Sequence, residues 1–185
     1  MNITVAITGA SGSIYAKGLV EMLISQDLIE RVTLIYSDNG REVMDFEGVC
    51  MPLNDKIIEV KNGDFYNHTV SGSSCDDVMV VVPCSVGMMS RMACGTSDDT
   101  ISRAADVMLK ERKKLIVVVR ETPLSLIHLR NMASLTEAGA VVMPASPSFY
   151  SKPTDIEGLC RSVTERIMSL IGFETGYKWN YKNYK

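Results

Sequence analysis

Short apolar runs recur along the chain and are separated by stretches with helical spacing. Ile3–Thr8, Val32–Tyr36, Val78–Val82, Leu115–Val119 and Ala140–Met143 read as strands, and residues 13–25, 98–112, 124–137 and 154–171 read as helices. Runs such as Leu115-Ile116-Val117-Val118-Val119 are apolar throughout rather than alternating, the pattern of strands covered on both faces. Strand–helix alternation of this kind predicts an α/β fold, a parallel sheet between two helical layers joined by right-handed crossovers. From Glu47 to Ser74 the pattern turns irregular and polar, with Pro52 and Asn62-Gly63, and predicts loop with a short hairpin.

Length and charge narrow the class. At 185 residues the chain suits one domain with one sizeable core, given about 100–200 residues per domain. We expect that domain to span 1–172, with 173–185 as a C-terminal tail. The net charge is −3 with both signs interspersed, so no basic footprint for nucleic acid and no polybasic membrane arm is present. No apolar stretch approaches the ~18 residues of a membrane span, and the first strand starts without a signal-peptide pattern. Five cysteines, an odd number without CxxC spacing, fit reduced thiols in a cytoplasmic protein. No cluster has metal-ligand spacing.

The chemistry gathers where strands end. The residues following them are Gly9-Ala10-Ser11-Gly12, Ser37-Asp38, Pro83-Cys84-Ser85-Val86-Gly87, Arg120-Glu121 and Pro144-Ala145-Ser146-Pro147. Open α/β sheets bind ligands at this edge, and small, hydroxylated residues there allow backbone to approach a phosphate. Thr8–Tyr15, TGASGSIY, reads either as a phosphate-binding turn or as a tight turn capped by Ser11 or Ser13. It fails as a dinucleotide fingerprint, because Ser11 or Tyr15 stands where a glycine is needed. The Tyr-xxx-Lys spacing of reductases occurs at Tyr181 to Lys185, too close to the terminus for catalytic machinery.

Ser85 and Gly87 can hold a phosphate or a polyol, or merely form a turn and cap. Cys84 reads as a small packed residue, and His128 as a core histidine on an apolar helix face. Arg120 can bind phosphate through two parallel hydrogen bonds while Glu121 moves a proton, the plain alternative being an ion pair. Arg103 and Lys110 lie seven apart on one helix face and read alone as a solvated charged surface. Phe149 and Tyr150 ride a Pro-punctuated loop toward the same edge, and Arg166 follows on the last helix.

TGASG, Ser37, SGSS, PCSVG, RAADVMLKER, VVRETPLSLIHLRNM, GAVVMPASPSFY and a final helix with Arg166 occur in one order over about residues 3–172. Together they resemble the UbiX-type flavin prenyltransferases. The resemblance implies a flavodoxin-like or Rossmann-like three-layer fold, bound FMN and a homododecamer with sites between subunits. It implies that Gly9, Ala10, Ser11, Ser37, Ser85, Val86, Gly87, Met88 and Arg120 hold FMN. Arg103, Lys110, Glu121, Tyr150 and Arg166 would surround the phosphate of dimethylallyl monophosphate, with Glu121, Glu47 and Ser11 catalytic.

The implied reaction joins a dimethylallyl group to N5 and C6 of reduced FMN, releases phosphate and supplies a UbiD-type decarboxylase, as in ubiquinone biosynthesis. Ser85-Val86-Gly87-Met88 departs from the family's threonine-bearing loop, so hydroxyls at 86 and 88 are missing. The tail around Trp179 and Tyr181 matches the family only loosely. Alternative functions are an FMN-dependent decarboxylase of aromatic acids or peptidyl cysteine, or a non-catalytic FMN-binding subunit. Cysteine decarboxylases carry a histidine after the first loop, and residues 9–20 contain none.

Overall fold

A computed structural model describes residues 1–176. Six strands, β1 (Asn2–Ile7), β2 (Arg31–Tyr36), β3 (Ile57–Lys61), β4 (Val78–Cys84), β5 (Lys114–Val119) and β6 (Val141–Pro144), form one sheet. Its order is β3-β2-β1-β4-β5-β6, and every neighbouring pair is parallel. Six α-helices connect them: α1 (Ser13–Ile24), α2 (Asp38–Phe46), α3 (Val86–Ala93), α4 (Thr100–Lys110), α5 (Leu126–Glu137) and α6 (Ile156–Ile171).

Because strand side chains alternate between faces, the apolar runs build two cores. Ile3, Val5, Ile7, Val80, Val82, Ile116 and Val118 pack with Leu19 and Leu23 of α1, Met44 of α2 and Val163 and Ile167 of α6. Ala6, Met79, Val81, Leu115 and Val117 pack with Met88 and Met89 of α3, Ile101 and Ala105 of α4 and Leu135 of α5. This is the three-layer α/β arrangement expected. The five expected strands and four expected helices all form, with ends shifted by one or two residues.

The structure adds four elements. Residues 47–74 contain no hairpin; β3 pairs parallel with β2, and a single 3-10 turn follows at His68–Val70. Both α2 and α3 start in the strand-end residues Asp38 and Val86 and run through stretches to which the sequence pattern assigns no element. His128 is not a core residue: α5 buries only Leu135, and the His128 Nδ1 accepts a hydrogen bond from the Ser125 amide at 3.2 Å. Cys84 is fully buried, and burial pushes its thiol far up, so it stays protonated. Among the described residues, no helix is long and apolar enough to cross a membrane. Trp179, Tyr181 and Lys185 lie outside the described residues.

At the opposite end of the sheet, Asp76 is buried against the amino ends of β1 and β2. It accepts from Thr4 Oγ1 at 2.7 Å and from Arg31 Nη2 at 2.6 Å, with His68 Nε2 3.4 Å away. Burial opposes its charge, but these partners prevail and hold its carboxyl below the usual range. The network ties the segment before β4 to the sheet.

Candidate active site

The sheet reverses direction of growth between β1 and β4, which opens a crevice at their carboxyl ends. Thr8 ties the two loops there: its hydroxyl donates to the Pro83 carbonyl at 2.8 Å and accepts from the Ser85 amide at 2.8 Å. A cleft of about 1210 Å³ runs from this point toward β3, lined by Gly9, Ser37, Asn62, Ser85, Gly87 and Arg91 among others. Gly9 is required by close approach, because a Cβ there would stand 2.6 Å from the Asn39 Cβ.

Two helices begin in the cleft wall. Ser37 caps α2 by accepting from the Gly40 amide at 3.0 Å, and Ser85 caps α3 by accepting from the Met88 amide at 3.3 Å. Each hydroxyl keeps its own proton to donate outward. Convergent helix N-termini present unpaired N–H groups and positive dipole ends, which suits a phosphate monoester in a roomy, small-residue cleft. The side chain of Met88 is wholly buried, its thioether 3.9 Å from Arg91 Nη2 in the cleft wall. Val86 is half-buried, and neither residue offers a hydroxyl.

The third helix N-terminus is already occupied. Gly12, at φ 111°, starts α1 without a side-chain cap of its own. Glu47, at the end of α2, supplies one instead: its two carboxylate oxygens accept the Gly12 and Ser13 amides, each at 2.8 Å. The alternative reading, a cap from Ser11 or Ser13, is therefore not what forms, and Glu47 also engages the two amides that the phosphate reading would have used. Burial raises the Glu47 pKa, but hydrogen bonds from the Ser11 hydroxyl and the two amides outweigh it and hold the carboxyl below the usual range. Ser11 and Glu47, 36 positions apart, thus meet at the crevice. Ala10 is buried beside them.

At the next strand, the Arg120 amide donates to the Cys84 carbonyl at 3.1 Å, fixing the end of β5 beside the Ser85 loop. The Arg120 side chain is half-buried. Its charge reaches Tyr15, whose pKa is nevertheless raised, first by burial and then by Cys160. Glu121 is exposed, and its Oε1 accepts from the Thr122 amide at 2.9 Å. Tyr150 is exposed on the loop after β6.

The remaining cations are elsewhere on the subunit. Arg103, in the first turn of α4, pairs with Asp106 at 2.9 Å. Lys110 pairs with Glu111 at the far end of the helix, beside Gly72 in the segment that precedes β4. Arg166 is exposed, three turns into α6, whose carboxyl end receives Lys114 from the start of β5. One subunit therefore joins Ser11, Glu47, Ser37 and Ser85 around the crevice but does not bring Lys110 or Arg166 to Glu121.

The β3 side of the cleft was not foreseen. Arg41 stacks 4.0 Å over the Tyr36 ring and donates to Glu59 at 2.9 Å, closing that wall. Burial, then Glu59, pushes the Tyr36 phenol up to about 12, so it stays neutral. The signal for this wall was weak, since β3 is a half-exposed edge strand without a continuous apolar run.

Comparison with known proteins agrees with this architecture. A family model described as Flavoprotein matches residues 1–170. A flavin prenyltransferase UbiX from Methanocaldococcus jannaschii is 41% identical, with 94% of this chain and 95% of that protein covered. The solved structure of AnUbiX (PadA1) in complex with FMN and dimethylallyl pyrophosphate has a TM-score of 0.88 at 39% identity, covering 97% of both chains. A dodecameric FMN-dependent UbiX-like decarboxylase from Escherichia coli O157:H7 has a TM-score of 0.89 at 30% identity, covering 98% of this chain and 99% of its own. With likeness at this level over nearly the whole length, the chain belongs to the Flavoprotein family and, within it, to the UbiX flavin prenyltransferases.

Proposed function

We propose that this protein is a flavin prenyltransferase that joins the dimethylallyl group of dimethylallyl monophosphate to N5 and C6 of reduced FMN and releases phosphate. The observation that carries this reading is the crevice itself: two serine-capped helix N-termini suited to a phosphate monoester, beside a Ser11–Glu47 pair. Reduced FMN supplies the nucleophilic N5 and C6 atoms. Gly9, Ala10, Ser11, Ser37, Ser85, the open amides of Val86 and Gly87, the turn held by Met88, and Arg120 bind and orient it.

Breaking the allylic C–O bond leaves charge on a departing phosphate, and a carboxyl able to protonate it lowers that barrier. Glu121 serves this role, with Arg120, Arg103, Lys110 and Arg166 offsetting the charge and Tyr150 sheltering the allylic cation. Glu47 holds Ser11 beside the flavin and accepts protons given up there. Lys110 and Arg166 are remote from Glu121 within one subunit, so they reach it from neighbouring copies in a homododecamer. The domain is residues 1–172, the location cytoplasmic, and the user of the product a UbiD-type decarboxylase.

Anaerobic incubation of the purified protein with reduced FMN and dimethylallyl monophosphate, followed by mass measurement of the flavin, tests the reading. A five-carbon gain is expected; unaltered flavin removes the transferase. Glu121→Gln should keep flavin bound while slowing the mass gain by about 100-fold or more, the scale of general acid catalysis.

A further inference from the structure

We propose that Arg91 on α3 is a specificity-determining residue that binds the phosphate of the flavin, taking the place of the hydroxyls that Val86 and Met88 lack. Arg91 lines the cleft together with Ser37, Ser85 and Gly87. It follows Gly87 by four positions, one helical turn, and so lies on the same face. The guanidinium lies between Asp98 and Asp99, and because helical side chains lean toward their own N-terminus, a change of rotamer carries it past Gly87 toward the open amides of Val86 and Gly87. Gly87 leaves that path clear, because even a Cβ at this position would meet nothing within 4 Å.

The guanidinium is held only by two loose ion pairs. Its Nη1 is 3.7 Å from Asp98 Oδ1 and its Nη2 3.5 Å from Asp99 Oδ2, both beyond good hydrogen-bond length. Asp99 is engaged elsewhere, accepting from the Ser102 amide at 2.7 Å and from Asn62 Nδ2 at 3.1 Å. Its other near neighbour is the thioether of Met88 at 3.9 Å, and Nε is enclosed with no partner. Arg41, the other arginine of this wall, is by contrast held by Glu59 and the Tyr36 ring. A half-buried arginine with spare N–H groups, lining the same cleft as two helix N-termini, is built for two-point binding of a phosphate.

The inference rests on the flavin site proposed above, and the test separates the two by reading binding rather than turnover. The protein freed of flavin is titrated with FMN and with riboflavin, which lacks the phosphate, by quenching of flavin fluorescence. Arg91→Gln should weaken FMN by about 10- to 100-fold, the loss of a charge-assisted hydrogen bond, and leave riboflavin within about twofold. Arg91→Lys, which keeps the charge but not the fork, should fall between.

On the unaltered protein, FMN but not riboflavin should protect Arg91 from phenylglyoxal, read by peptide mass. FMN affinity unchanged in Arg91→Gln, a parallel loss for riboflavin, or equal labelling of Arg91 with both flavins overturns the assignment while leaving the prenyltransferase reading standing. A wild-type protein that binds neither flavin overturns both.

Discussion

Glu47 is a carboxylate standing where a phosphate was expected. Its negative charge sits on the positive end of α1, so it stabilises that helix and positions Ser11 at once. Replacing it by glutamine keeps an acceptor oxygen but removes the charge and one acceptor, and should cost about 1 kcal/mol at neutral pH. Since the folded carboxyl titrates below its ordinary value, its contribution is complete above that value and is lost as pH falls through the lowered one. Urea unfolding of wild type and Glu47→Gln should therefore differ at neutral pH and converge in acid.

Asp76 obeys the same sign at the other end of the sheet, with more at stake because its side chain is fully buried. Asp76→Asn leaves Arg31 without its counter-charge and should cost about 2–4 kcal/mol, read from the same titrations. Neither partnership is visible in sequence, since Glu47 meets Gly12 across 35 positions and Asp76 meets Thr4 across 72.

Among the elements, the two helices that make the cleft were the least legible. α2 has nine residues and buries only Gly40 and Met44, so its apolar stripe is too thin to announce a helix. α3 has eight, and its Ser85 start is equally well read as a turn. Gly40 shows why α2 can form at all. A Cβ there would fall 2.4 Å from the Ile7 carbonyl oxygen, so the start of α2 lies directly on the end of β1. Gly40→Ala must push backbone against backbone and should destabilise by about 1–3 kcal/mol, with flavin affinity falling as the Ser37 cap shifts. Thermal unfolding and flavin titration of the variant check both. The long elements were legible for the opposite reason: their apolar runs are continuous in β4 and β5 and broken only by Thr4 in β1, where both faces are covered.

At the scale of the whole molecule, α5 is the element that a single subunit leaves unfinished. Leu126, Ile127 and Leu129 are 61%, 67% and 50% exposed, while Leu135 alone of that helix is buried. An apolar face of this size marks a contact with another protein surface. Assembly through it would also account for the separation of Lys110 and Arg166 from Glu121 in one subunit. Ile127→Asp should dissociate the assembly, measured by light scattering, and reduce prenyl transfer by about tenfold or more while the isolated subunit still folds, because it removes no core contact.

The sequence by itself determined the α/β class, the parallel sheet, the strand ends as the place of chemistry and, through the order of its motifs, the family. These are consequences of apolar periodicity and of short contiguous strings, which one dimension carries intact. Only the tertiary structure decided that Glu47 rather than a ligand occupies the start of α1, that α2 and α3 aim their N-termini into one cleft, and that Arg91 lines that cleft with them. It alone also paired Arg103 with Asp106 and Lys110 with Glu111 rather than with Glu121. Such relations depend on which strands become neighbours at the switch point, and periodicity does not encode the order in which strands are laid side by side.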